Sequence, residues 1–243
     1  MDVPNQFHRA ERTHKSAFSG LEKKALVWMA HRIPRWVSSD HMTMLGFVSL
    51  IAVGFSYWYS RYSRLGLLLV AVFFVLNWFG DSLDGTLARV RDRQRPRYGF
   101  YVDHILDACG SVFVFAGLAL SGYMSERVAV GLLVVYFLLS IEVYLATYTV
   151  GTFRLSFGAF SPTELRLLLI IGNIALLNKP LVTLAGKQYL LFDVGGLAGI
   201  VGMSGVLLWS IVRHTLYLQR VDSANLSMKR PLPSASHMFG YDS

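Results

Sequence analysis

A chain of 243 residues that is 53% hydrophobic and only 16% charged, with a mean hydropathy of +0.44, has too little charge to cover an ordinary soluble domain. Its net charge of +8 sits in short basic segments between long apolar runs. That is the pattern of loops beside an anionic membrane, and no aromatic platform interleaves them as a nucleic-acid module requires. The single cysteine, Cys109, excludes an internal disulfide and is expected, within its apolar run, to be a buried small hydrophobe.

The first long apolar run begins near Met42, beyond the reach of a secretory signal, so the N-terminus is expected to be retained and residues 1–41 to form a cytoplasmic segment. Within it, Leu21, Ala25, Leu26, Trp28, Met29 and Ile33 recur at helical spacing against Glu22, Lys23, Lys24, His31, Arg32 and Arg35. This predicts an amphipathic helix, either lying in the membrane interface or capping the bundle. Apolar stretches follow at about 42–60, 65–88, 99–122, 128–150, 163–183 and 193–218, each near the ~17–25 residues that cross a bilayer. The fifth is interrupted by Asn178, Lys179 and Pro180 and reads as short or tilted. Apolar/polar alternation is missing from 65–79 and 128–139, which excludes a barrel. The predicted fold is therefore all-α and integral to the membrane. It has six transmembrane helices over 42–220, preceded by the interfacial amphipathic helix and followed by a flexible cytoplasmic tail over the polar segment 221–243. Most Lys and Arg lie in the N-terminal segment, after the second and fourth spans and at the C-terminal end. The positive-inside rule then predicts both termini in the cytoplasm.

The second span runs without a break into Asn77-Trp78-Phe79-Gly80-Asp81-Ser82-Leu83-Asp84-Gly85-Thr86-Leu87-Ala88-Arg89. Asp81 and Asp84, three apart, share one helix face, which Gly85 and Ala88 continue. After a loop carrying Arg91, Arg93, Arg95 and Arg97, the next span offers Gly99, Asp103 and Asp107 at steps of four, again one stripe. Two helices thus bring four carboxylates to one cytoplasmic cleft. Each costs about 2.5–3.5 kcal/mol at mid-membrane and less near a helix end, and their mutual repulsion adds to that, so a cation must accompany them. The loop arginines are one source and bound metal the other; Asp92, in the loop, is read as an arginine partner. Gly85, Ala88 and Gly99 leave open space beside the aspartates, which favours metal. Oxygen-only donors, with no His or Cys at matching spacing and His104 off the stripe, select hard ions such as Mg²⁺ or Mn²⁺.

The pattern Asp81-x2-Asp84-Gly85-x2-Ala88-Arg89-x9-Gly99-x3-Asp103-x3-Asp107 resembles, at all eight fixed positions, the signature of the CDP-alcohol phosphotransferases. The resemblance implies two metal ions, one held by Asp81, Asp84 and Asp103, the other by Asp81, Asp103 and Asp107. It implies that Gly85, Ala88 and Arg89 border the cytidine diphosphate, with Gly99 in the same signature, and that Asp107 is the general base. Expected partners are a CDP-linked donor, either CDP-diacylglycerol or a CDP-amino-alcohol, a hydroxyl acceptor, membrane lipid and a second copy in a homodimer. No Ser or His nucleophile stands in the signature, which favours direct transfer to the acceptor with release of CMP.

Further on, Glu142-Val143-Tyr144, Gly151-Thr152-Phe153-Arg154-Leu155 and Pro162-Thr163-Glu164 are similar to a stretch of the choline and ethanolamine phosphotransferases. The likeness breaks at Leu165 and over 145–150. Glu142, inside an apolar span, is either functional or paired to a neighbouring helix. Arg154 and Arg166 are positioned to meet an acceptor phosphate. A cation transporter is the alternative class, but it places carboxylates near the midplane and in paired halves, whereas these cluster at one end without an internal repeat.

Overall fold

A computed structural model describes residues 19–150 and 162–229. In chain order the elements are α1 (Ser19–Arg32), α2 (Ser39–Ser60), α3 (Leu65–Val90), α4 (Pro96–Ser121), α5 (Glu126–Val150), α6 (Pro162–Asn178), β1 (Leu181–Leu184), β2 (Lys187–Leu190) and α7 (Leu191–Lys229). Five helices are long and apolar enough to cross a bilayer: α2, α3, α4, α5 and the stretch Leu191–Ala224 of α7. Side chains such as Phe55, Val72, Val130 and Val201 stand exposed along them, as bundle surfaces facing lipid do. The chain is an integral membrane protein, and among the described residues the regular structure is helical apart from one short hairpin.

Local chemistry sets the boundaries. Ser38 caps α2 in a reciprocal box: its backbone N–H donates to His41 Nδ1 at 2.9 Å while its hydroxyl accepts from the His41 N–H at 3.3 Å. Pro96 opens α4, where the missing N–H costs nothing, and Gly122 closes it at φ 79°. Asn178-Lys179-Pro180 ends α6 five residues short of the 163–183 reading. The chain then turns through a two-residue hairpin, Leu184 pairing with Lys187, with Ala185 at φ 50° and Gly186 at φ 78°; both angles are what a type I′ turn needs. The sequence reading assigned no strand there. Likewise α7 continues to Lys229, into the segment read as a tail, whose remainder lies outside the described residues.

The helices α2, α3 and α4 form the frame. Against α3, Gly46 meets Gly80 so closely that a Cβ on Gly80 would lie 2.6 Å from the Gly46 nitrogen and the Met42 carbonyl. Against α4, Gly54 meets Gly117 and the Phe113 backbone with no room for a methyl on either glycine. This is the small-residue packing on which membrane helices depend, since lipid gives them no hydrophobic drive to associate. Helix α2 thus packs on both partners, while α3 and α4 barely touch each other. A core of Val53, Tyr57, Leu67, Val70, Phe74 and Leu118 fills the half remote from the aspartates.

Polar ties add α5, α6 and α7. The Asn173 amide of α6 donates to the Tyr57 hydroxyl at 2.9 Å. Asp193 at the start of α7 accepts from the Ser125 N–H beside the start of α5 at 2.6 Å. Near their other ends, Glu142 of α5 accepts from the Ser210 hydroxyl at 2.8 Å and meets His214 Nδ1 at 2.6 Å. These two sets of bonds make α5 and α7 parallel neighbours, and of the two readings of Glu142 they give the partner on an adjacent helix.

Helix α1 does not stand apart. Leu26 and Ala30 bury against Leu83 and Leu87 of α3, Trp78 Nε1 donates to Glu22 at 3.1 Å, and Arg91 ties the α1–α2 turn by donating to the carbonyls of Ile33 at 3.0 Å and Pro34 at 3.1 Å. Cys109 corrects the sequence expectation: it is exposed on the outer face of α4, because its helix buries only the face toward α2, with Gly110 and Val114.

Gly80→Ala should force α2 and α3 apart at the level of Asp81. Overpacking of this kind costs about 1–3 kcal/mol, so the thermal midpoint in detergent should fall, while Gly20→Ala, which meets nothing within 4 Å, should leave it unchanged.

Candidate active site

Where α3 and α4 both pack on α2 with few contacts to each other, residues of all three helices line an acidic cleft. Asp81 and Asp84 line it from α3, Asp103 and Asp107 from α4, and Thr43, Gly46 and Phe47 of α2 lie behind. All four aspartates expected from the spacing are therefore brought to one place. Asp81, Asp103 and Asp107 each present a carboxylate oxygen within 4.8 Å of the others. Asp84 stands at the edge, where its carboxylate accepts from the Thr43 hydroxyl at 2.8 Å and from the Gly85 N–H. The Ser39 hydroxyl donates to the Asp84 carbonyl at 2.9 Å, so the start of α2 holds this turn of α3.

One cation already stands among them. Arg166 of α6 donates through Nη2 to Asp81 Oδ2 at 2.7 Å, with both side chains largely shielded. Among the described residues that line the cleft none is cationic, so Arg166 brings its positive charge to Asp81 from outside that lining. The donor chemistry fits hard divalent ions: carboxylate oxygens close enough to share one, and, in the same cleft, the buried Asn77 Oδ1, which has no hydrogen-bond partner.

The other signature residues are not among those that line the cleft. A Cβ on Gly85 would have only the Arg89 guanidinium near it, at 3.4 Å, and one on Gly99 would meet nothing within 4 Å. Ala88 is partly covered and Arg89 exposed, the latter donating to Thr86 Oγ1 at 2.9 Å. His104 Nδ1 lies 2.6 Å from the Phe100 carbonyl and 3.8 Å from Asp103 Oδ2, with its ring 4.2 Å from that of Phe100 and Tyr144 of α5 edge-on at 5.1 Å. Asp92 adopts φ 51°, a left-handed turn position that aspartate tolerates, and this accounts for its place in the loop. Asp40, at the start of α2, is the carboxylate that pairs with a loop arginine, Arg95. Arg154 and the stretch 151–155 lie outside the described residues.

Thr43, Gly46 and Asn77 were missed by the sequence reading. Asn77 carried a signal, a polar side chain one turn before Asp81 on the same face. Thr43 carried none, because nothing local relates α2 to the motif forty residues on.

A family model described as CDP-alcohol phosphatidyltransferase matches residues 36–214. No curated protein matches the chain.

Since Arg166 shares Asp81 with any bound ion, Arg166→Gln should lower the stability of the metal-free protein by about 1–2 kcal/mol, the usual worth of a polar tie between membrane helices. It should also enlarge the rise in thermal midpoint produced by saturating Mn²⁺. An unchanged rise would show that guanidinium and ion do not compete.

Proposed function

The chain belongs to the CDP-alcohol phosphatidyltransferase family, integral-membrane transferases of phospholipid biosynthesis, and we propose that it moves a phospho-alcohol group from a CDP-linked donor to a hydroxyl acceptor, releasing CMP. The observation that carries this reading is the convergence of Asp81, Asp103 and Asp107 within 4.8 Å, from two helices that carry the signature, with open space at Gly99. The proposed ligands are Asp81, Asp84 and Asp103 for one ion and Asp81, Asp103 and Asp107 for the other. Two Mg²⁺ or Mn²⁺ ions held there would supply Lewis acidity for in-line displacement at phosphorus.

The remaining chemistry belongs to side chains. Asp107 takes the proton of the acceptor hydroxyl as its oxygen bonds to phosphorus, and the bond from that phosphorus to the CMP oxygen breaks. Gly85, Ala88 and Gly99 admit the nucleotide diphosphate where a larger side chain would fill the path. Arg89, which is exposed, meets the charge that builds on the departing CMP. Arg166, beside Asp81, meets an acceptor phosphate, which favours CDP-diacylglycerol with a small polar or phosphorylated acceptor over a CDP-amino-alcohol with diacylglycerol.

The topology we propose has six spans. Helices α5 and α7 run parallel, so α6 must carry the chain back between them; its 17 residues rise about 25 Å at 1.5 Å each, a short span for a ~30 Å hydrocarbon core. The basic loops then put both termini and the cleft on the cytoplasmic side of the cytoplasmic membrane, with α1 in the interface. A second copy completes a homodimer, as the family resemblance implies.

Purified protein given Mn²⁺, CDP-diacylglycerol or CDP-choline, and candidate acceptors should release CMP with one pairing; no release with any would defeat the reading. In the active pairing, Asp107→Asn should keep much of its Mn²⁺ binding, because an amide oxygen still coordinates, while turnover falls by about 10²–10⁴. Asp81→Asn should lose the metal itself. If Asp107→Asn loses Mn²⁺ as completely as Asp81→Asn, Asp107 is a ligand and not the base.

A further inference from the structure

Asn77 precedes Asp81 by one turn on the same face of α3 and lines the acidic cleft, yet it is only 1% exposed. Its Nδ2 donates to the Gly46 carbonyl of α2 at 3.0 Å. That bond fixes the amide, since only the nitrogen can donate to a carbonyl, and it leaves Oδ1 as the buried atom without a partner. A buried acceptor left unpaired costs about 1–3 kcal/mol, and a leucine of similar size would avoid the cost. The neighbours of Asn77 at this end of the cleft, Gly46, Phe47 and Leu106, offer no side-chain oxygen. Hard ions such as Mg²⁺ hold on to several of their waters even when carboxylates bind them. A water held by an ion at Asp81 would find an unused acceptor in the buried Asn77 Oδ1.

We propose that Asn77 is a positioning residue of the metal centre, its Oδ1 accepting a hydrogen bond from a water ligand of the ion bound at Asp81. The inference rests on the metal reading above and extends it to a residue outside the eight-position signature. Through Nδ2 the same amide is anchored on α2, so the helix that seats α3 and α4 also orients the ion's water.

The test is Mn²⁺ titration by electron paramagnetic resonance on the full chain in detergent, with thermal melting of each sample. Asn77→Leu should weaken Mn²⁺ binding by about 10- to 100-fold, the usual effect of removing a group that orients a metal's ligands. Asn77→Asp keeps the acceptor oxygen but loses the donor to Gly46, and should bind Mn²⁺ at least as tightly as the wild type. Wild-type affinity in Asn77→Leu would overturn the proposal. So would weakened binding in Asn77→Asp, since the tie to Gly46 would then be what matters; this variant decides the question even if Asn77→Leu fails to fold. Should the wild type itself bind no Mn²⁺, the metal reading falls first and this inference with it.

Discussion

Three carboxylates within 4.8 Å of one another, at the end of an apolar bundle, repel strongly unless positive charge lies close by. Much of the surrounding architecture answers this constraint. Asp81 is met by a guanidinium from α6 and Asp84 by a hydroxyl from α2, so two helices outside the motif supply hydrogen bonds to it. The group lies near the ends of α3 and α4 rather than at their middles, where the cost of charge is smaller and a polar substrate reaches it from water.

The frame that holds the carboxylates is built from the absence of side chains. Where Gly46 meets Gly80 the two backbones are in direct contact, and where Gly54 meets Gly117 the same holds between α2 and α4. With α2 wedged against both partners, α3 and α4 make few direct contacts, and the acidic cleft is lined by residues of all three helices. Its width is set at glycine contacts whose side of α2 faces away from lipid, which is why a methyl group added there should matter as much as a change of an aspartate.

The acidic stripe was legible in the sequence because helical period alone puts Asp81 with Asp84, and Asp103 with Asp107, on single faces. Spans two to four were equally plain from apolar length. Glycine was not legible in the same way. Gly85 and Gly99 stand in open space while Gly46, Gly54, Gly80 and Gly117 are pressed against backbone, and nothing local in the sequence separates the two uses. Contacts across the bundle were hidden for a related reason. Thr43 to Asp84, and Tyr57 to Asn173, depend on how helices far apart in the chain rotate against each other, which period does not determine. Cys109 was misplaced because an apolar run suggests burial, whereas in a membrane bundle most of each helix's circumference faces outward.

The intramembrane polar groups divide by whether their hydrogen-bonding capacity is used up within the bundle. The Glu142 carboxylate is engaged by both Ser210 and His214, and Asp193 by the Ser125 N–H. Those contacts are made between α5 and α7 and serve to hold parallel helices together in lipid. In the acidic cleft the arrangement is different: three carboxylates converge within 4.8 Å and the buried Asn77 amide oxygen beside them is left over. An excess of oxygen donors beside open space is costly to a resting fold and has use only if something positively charged enters with a polar substrate. The same physical criterion that gives Glu142 its partners on α7 supports the metal-binding role proposed for Asp81, Asp103 and Asp107, although each taken alone is an acidic residue in an apolar helix.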